Sequence, residues 1–378
     1  MIEKIKEKNV WDFLRETTLP IVLYGMGNGT DMVMEKLDEI GVKASEVFAS
    51  DEFVRGHSFR GYKVVKYSDI CEKYEDFVVV VCFAMHDEAM LEKIRRMSEE
   101  HPLVAPNVPI VNDGIFTREF IEEHDAEFDE AYSLLSDDFS RKSYVDILNF
   151  KVSGKVEYLF SCEKKKEEIY SEYLNLGANE IFMDLGAYDG DTVREFLQAT
   201  DGRYERIIAV EADEKNYRKL TDKTAEVENI ETHNLAVWDK KETLFFEKKK
   251  GRNSKLSSAG KVEVQADSVD NILNGEKITV LKMDIEGSEE KALEGARKTI
   301  IAHKPKLYVC AYHRNDDMFR LPLKINEISK GYKFYFCHHP YIPAWESNFY
   351  CCRFDNDIKL TKEKLKKNDQ TIGCIGDK

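Results

Sequence analysis

A chain of 378 residues is long enough for two domains, or for one large domain with an appendage. With 42% hydrophobic and 34% charged residues its composition is that of a soluble globular protein, and its longest apolar runs, such as 77–83, are far too short to span a bilayer. A net charge of −15 argues against a nucleic-acid partner, because phosphate binding needs a basic face.

The N-terminus, Met1-Ile2-Glu3-Lys4-Ile5-Lys6, is charged and lacks the apolar core of a secretory signal. The eight cysteines are scattered, and several lie in apolar runs (Cys82, Cys310). Buried free thiols in a reducing, cytoplasmic compartment are therefore expected.

The first segment alternates strands and helices. Strands are predicted at 21–24, 47–49, 77–82 and 108–111, with helices over 31–40 and 88–97. Continuous apolar strands separated by helices predict a parallel sheet covered on both faces. This Rossmann-like module is expected to span 1–112. Its first turn, Tyr24-Gly25-Met26-Gly27-Asn28-Gly29-Thr30, carries no acid at the strand tip, so a phosphate is tolerated. Asp51 lies about 20 residues further on, where a ribose-binding acid would sit. The spacing departs from Gly-x-Gly-x-x-Gly, since the third glycine falls at 29, and such turns also close sheets that bind nothing.

From 113 to 176 a charged stretch with few glycines or prolines predicts a helical linker. Within it, Lys164-Lys165-Lys166-Glu167-Glu168 is expected to be a solvated helix face.

The second α/β module, 177–378, has predicted strands at 181–185, 206–211, 230–237, 278–285, 306–311, 333–337 and 349–354. A hairpin at 243–247 and a strand-like run at 262–265 fall between the third and fourth. No helix separates the last two strands, so an antiparallel pair at the sheet end is expected. The expected fold class is α/β: two Rossmann-like modules joined by a helical linker, the second a mostly parallel sheet with an antiparallel terminal strand.

Ligands of such sheets bind at the carboxyl ends of strands, at a topological switch point. The first strand ends in Asp184-Leu185-Gly186-Ala187-Tyr188-Asp189-Gly190-Asp191-Thr192. A glycine loop built for phosphate avoids a carboxylate at that place. An acid there suits a cationic ligand, and S-adenosylmethionine carries an ammonium and a sulfonium. Glu211, 21 residues after Gly190, is placed to accept ribose hydroxyl hydrogens. Asn234-Leu235-Ala236-Val237 is placed to edge an adenine ring, and Asp284-Ile285-Glu286-Gly287 closes a fourth strand. Singly, each has a bland explanation: a turn, a helix cap, or Asp284 pairing with Lys282. Their joint order favours a cofactor site made of Asp184, Gly186, Ala187, Gly190, Asp191, Thr192, Glu211, Ala212, Asn234, Ala236 and Asp284.

These segments resemble the FkbM-type S-adenosylmethionine-dependent methyltransferases. The resemblance covers roughly 176–352 and is carried most specifically by Leu281-Lys282-Met283-Asp284-Ile285-Glu286-Gly287-Ser288-Glu289, followed by Leu293-Glu294-Gly295-Ala296. Ala311-Tyr312-His313, Asp317-Met318-Phe319 and Leu321-Pro322-Leu323 continue it. Ala212-Asp213 departs from it, since many members have a proline before that acid. The resemblance implies a class I methyltransferase fold, S-adenosylmethionine as cofactor and O-methylation, often of sugars or secondary metabolites. A small-molecule or carbohydrate acceptor is the implied partner. More loosely, the first module resembles Rossmann-like domains beside sugar-modifying enzymes, which serve docking or homo-oligomer formation.

A hydroxyl acceptor must lose its proton. Asp284, Glu286 and His313 are the candidate general bases, and His313 needs the least tuning. A magnesium ion on Asp284, Glu286 and another oxygen is a lesser alternative. Cys337-His338-His339 with Cys351-Cys352 fits no usual zinc spacing, so no metal is expected there. The aromatic-rich end is expected to be core, with Tyr341 or Trp345 as lesser candidates for an acceptor pocket. Two other functions remain open: an NAD(P)-dependent sugar-modifying enzyme using the 25–29 loop, and a cofactor-binding protein without turnover.

Overall fold

The computed structural model describes residues 1–109, 113–247, 255–257 and 262–353. The first sheet contains β1 (Ile21–Tyr24), β2 (Glu46–Ala49), β3 (Ser58–Phe59), β4 (Tyr62–Lys66), β5 (Val78–Val81) and β6 (Leu103–Val104), in the order β3-β4-β2-β1-β5-β6. All neighbours are parallel except the β3–β4 pair. Four consecutive valines make β5, all buried, because helices cover both faces. Among the described residues the last strand of this sheet falls at Leu103–Val104. Residues 108 and 109 are not in a strand; Pro106 and Pro109 bracket that position and lack the N–H a ladder needs. Residues 110–112, and with them the expected boundary at 112, lie outside the described residues.

The helix after β1 opens at Asn28, three residues earlier than expected. A Cβ on Gly29 would lie 2.1 Å from the carbonyl oxygen of Cys82. Close packing of that helix on the exit of β5 therefore accounts for the glycine without any ligand. Asp51 is exposed in a short 3-10 turn.

Helices Arg118–Glu123, Asp125–Leu134, Asp138–Ser153, Glu157–Phe160 and Lys166–Glu172 follow. They are wedged into both modules. The Met1 ammonium pairs with Asp125 (2.7 Å) and Asp129 (2.6 Å). On the other side, Ser136 and Ser140 hydroxyls accept from the Phe334 and Phe336 amides, each at 3.0 Å. One apolar core runs without a break from Val22 and Val79 through Phe150 to Met183 and Leu281.

The second sheet contains β7 (Ile181–Leu185), β8 (Arg206–Val210), β9 (Ile230–His233), β14 (Val280–Met283), β15 (Lys306–Cys310), β16 (Lys333–His338) and β17 (Ser347–Cys352). A smaller sheet holds β10 (Ala236–Val237), β11 (Glu242–Glu247), β12 (Lys255–Ser257) and β13 (Val262–Asp267). The second sheet has the order β16-β17-β15-β14-β7-β8-β9. It is parallel except for β17, which is antiparallel to both β15 and β16, as expected of the terminal pair. The expected single strand at 230–237 is broken. The exposed Asn234 amide donates to the carbonyls of Glu211 (2.8 Å) and Ala212 (3.2 Å), and the chain crosses from one sheet to the other there. The last expected residue of the final strand, 354, lies outside the described residues. The chain leaves β7 toward β8 on one side and returns as β14 on the other. That reversal is the switch point at which the strand exits splay apart.

Among the described residues no helix is long and apolar enough to cross a membrane. Seven cysteines are described, all free; six are buried as expected, but Cys71 is exposed.

Candidate active site

At the carboxyl ends of β7, β8, β14 and β15 a cleft of about 1580 Å³ opens toward the first module. Seven of the residues expected at the cofactor line it: Gly186, Asp191, Thr192, Glu211, Ala212, Ala236 and Asp284. Asp184, Ala187, Gly190 and Asn234 do not, and each has another task.

Asp184 is the main correction. Its carboxylate is fully buried and faces Lys282 Nζ at 3.0 Å, across parallel strands whose register puts the two residues side by side. The same ammonium donates to the Gly186 carbonyl at 3.1 Å and lies 3.9 Å from Asp284. The acid at the strand tip is thus answered from within the protein and is not an open cation site. Burial raises the Asp184 carboxyl to about 6, against the pull of Lys282. Lys282 is itself desolvated, yet Asp184 and Asp284 hold it firmly charged. The two shifts are compatible because one ammonium serves two carboxylates. Lys282 approaches Oδ1 at ion-pair distance, and neither Asp184 oxygen has a hydrogen-bond partner among the described residues.

The glycines also prove architectural. Gly186 has φ +80°, and a Cβ there would fall 1.8 Å from the Asp284 carbonyl oxygen. Gly190, at φ +83°, caps the helix Asp191–Ala199. Only glycine adopts these turns cheaply. Ala187 is fully buried in the core of that helix and β8.

Glu211 sits where expected. Its two oxygens accept from the Tyr188 amide (2.9 Å) and the Asp213 amide (2.7 Å), and the side chain lines the cleft. Burial pushes its carboxyl up to about 7, opposed by those two bonds. Each oxygen keeps a lone pair for a ligand hydroxyl.

The three candidate bases come together around one ring. His313 Nδ1 lies 3.0 Å from Glu289 Oε1, at ion-pair distance although poorly aligned for a hydrogen bond. Its Nε2 lies 3.4 Å from Asp284 and 3.7 Å from Glu286. Burial works against the charged ring. Glu289, Glu286 and Asp284 outweigh it and raise His313 to about 10. The expectation that His313 needs least tuning as a base fails, because at neutral pH the ring already holds its proton. Asp284, Glu289 and His313 each offer a ligand atom, all within 4.8 Å of one another. With Nδ1 turned to one carboxylate and Nε2 to the other, the ring bridges them as an imidazolium more naturally than it shares an ion with both. His338 and His339 are bonded at both ring nitrogens to the protein, which leaves neither for zinc.

His313 is expected to contribute to stability in a pH-dependent way. Its folded value lies above the ordinary 6.5, so the contribution is complete below about pH 6.5 and is lost as pH rises through about 10. The stability gap between wild type and His313→Gln, read from urea midpoints, is expected to close over that interval. A gap independent of pH would refute the bridging imidazolium.

Burial pushes Asp284 up, but Lys282, His313 and the Tyr312 hydroxyl (3.0 Å) together hold it below the usual carboxylate range. Glu286 differs. It projects from a left-handed backbone (φ +55°) into the cleft, with its side chain 48% exposed. Partial burial, then its acidic neighbours, raise it to about 7 despite His313. Tyr188 and Glu346 line the same cleft and are also left-handed.

Residues 184–336 match the family profile of the methyltransferase FkbM domain. That stretch of the second module is an FkbM methyltransferase domain. The chain also superposes on a crystal structure of a methyltransferase FkbM from Methylobacillus flagellatus KT, with a TM-score of 0.67. That likeness, at 21% identity over 93% of this chain and 92% of the other, is one of fold. Weaker similarities include precorrin-6y C5,15-methyltransferase from Geobacter metallireducens GS-15 (TM-score 0.34, 10% identity, 51% of this chain and 94% of that one). Aeropyrum pernix fibrillarin, solved with natively bound S-adenosyl-L-methionine, gives a TM-score of 0.32 at 12% identity over 49% and 72%. A search of curated proteins returns no match.

Sequence reasoning missed several residues lining the FkbM cleft. Lys166, taken for part of a solvated face, lies in it, 3.2 Å from Glu195 and 3.5 Å from Glu346. Glu346, Tyr188 and Lys219 were not singled out, and neither were His86, Leu91 and Arg95 of the first module. Lys282 stands beside Asp284 in the motif, which was a usable signal. No local pattern marks residues brought in from another module.

Proposed function

We propose that the protein is an S-adenosylmethionine-dependent O-methyltransferase acting on a hydroxyl of a small molecule or sugar. The observation that carries this reading is the convergence of Glu211, Asp284 and Glu286 on one cleft at the switch point of the FkbM domain. The donor set fits the cofactor: a carboxylate with free lone pairs for a ribose, and further carboxylates for positive charge. Glu211 would hold the ribose, and Asp284 the cationic end. When bound, S-adenosylmethionine would supply an electrophilic, sulfonium-borne methyl group for transfer to the acceptor oxygen.

The protein's own residues do the rest. Glu286 takes the acceptor proton, since a base near the working pH is the most effective. His313, held charged, keeps Glu286 from drifting higher and fixes Asp284 in place. Alignment of the two substrates contributes up to roughly 7–11 kcal/mol of barrier lowering.

Calorimetry with S-adenosylhomocysteine and with NAD tests the cofactor. The expected result is saturable binding of the former and none of the latter. Glu211→Ala is expected to weaken that binding about 10- to 100-fold, the loss of bonds to a charged acceptor. Binding of NAD alone would overturn the reading.

A further inference from the structure

The cleft is larger than one cofactor needs, since ligand pockets commonly span roughly 300–1,000 Å³. Its far half is not made by the FkbM domain alone. The helix Glu88–Glu100 of the first module supplies Glu88, Leu91, Glu92 and Arg95, and the opposite wall comes from 339–346. The two walls are tied by a reciprocal backbone bridge, Met85 N to Ile342 O (2.8 Å) and Ile342 N to Met85 O (2.9 Å). Beside that bridge the rings of His86 and Tyr341 lie nearly parallel, 16° apart with centroids at 5.8 Å, and both residues line the cleft.

The charge of this half is one-sided. Glu88, Glu92, Glu163, Glu167, Glu195 and Glu346 line it against Arg95, Lys165 and Lys166. Arg95 is engaged by Glu92 (3.7 Å) and Glu163 (3.5 Å), and Lys166 by Glu195 and Glu346. A phosphate would meet excess negative charge with these two cations already taken. Clefts lined by one sign concentrate ligands of the other and repel their own.

We propose that the acceptor binds between the helix Glu88–Glu100 and the 339–346 segment, and that it is a neutral or amine-bearing polyol and not a phosphorylated or nucleotide-linked sugar. This rests on the methyltransferase reading and adds a substrate class and a role for the first module. Carboxylates accept hydroxyl and ammonium hydrogens, and Glu286, at the junction of the two halves, meets the hydroxyl to be methylated.

The test uses full-length protein saturated with S-adenosylhomocysteine, with methyl glucoside, glucosamine and glucosamine 6-phosphate as probes in calorimetry and ligand-observed NMR. Glucosamine or methyl glucoside is expected to bind at least 10-fold more tightly than the sugar phosphate. Leu91→Trp, which fills the first-module side, is expected to weaken the sugar at least 10-fold while S-adenosylhomocysteine affinity stays unchanged. Glu88→Lys combined with Glu92→Lys is expected to narrow the discrimination against phosphate. Tighter binding of the sugar phosphate, binding of none of the three, or sugar affinity unaltered in Leu91→Trp overturns the proposal. Failure of wild type to bind S-adenosylhomocysteine would instead fall on the cofactor reading itself, and the first titration shows which has failed.

Discussion

Glu286→Gln is expected to lower turnover by about 10²–10⁴-fold with any acceptor the wild type methylates, the usual contribution of a positioned base. The substitution keeps the length and left-handed backbone of the side chain and removes only its basicity. Affinity for S-adenosylhomocysteine should change little, because Glu211 and Asp284 are untouched. The wild-type pH profile supplies a second readout. Partial burial and the nearby Asp284 and Glu289 raise Glu286 to about 7, against the pull of His313. A base works only when deprotonated, so kcat/KM should rise with pH and level off above about 7. In Glu286→Gln that limb should vanish. Turnover near the wild-type level would remove Glu286 from the mechanism and leave Asp284 as the remaining carboxylate of the original three candidates.

Lys282→Met should destabilise the protein by about 3–5 kcal/mol, the usual result of removing one partner from a buried ion pair. Asp184 would be left fully buried, with no other cation at ion-pair distance among the described residues and neither oxygen hydrogen-bonded. The deficit should shrink in acid. Asp184 titrates near 6 even with its lysine present and will protonate more readily without it. Combining Lys282→Met with Asp184→Leu should recover much of the loss, since apolar replacement of a whole buried pair is often near neutral. Urea or thermal unfolding of the three variants decides the matter. A single variant as stable as wild type would mean that the pair is solvated and that Asp184 remains open to a ligand after all.

The alternation of apolar strands with helices was legible without coordinates, because strands buried on both faces must be apolar throughout. Both parallel sheets, the antiparallel end of the second, and the placement of Glu211 and the Asp284–Gly287 block at strand exits follow from that pattern and from turn chemistry. The shorter elements were not legible. Among the described residues the first sheet ends at Leu103–Val104, with Pro106 and Pro109 beyond it, and Asn234 split another strand between two sheets.

What the tertiary structure decided is which charges remain available. Sequence placed Asp184, His313 and Lys166 by local pattern: an open acid at a turn, a histidine near neutrality, a lysine in a charged run. Each was reassigned by a partner distant in sequence, Lys282 for Asp184, Glu289 for His313, Glu195 and Glu346 for Lys166. Local pattern fixes a residue's chemical type and the element that carries it. The free energy of a charge depends on solvent exclusion and on groups a few ångströms away, and those are set only when strands and modules far apart in the chain pack together.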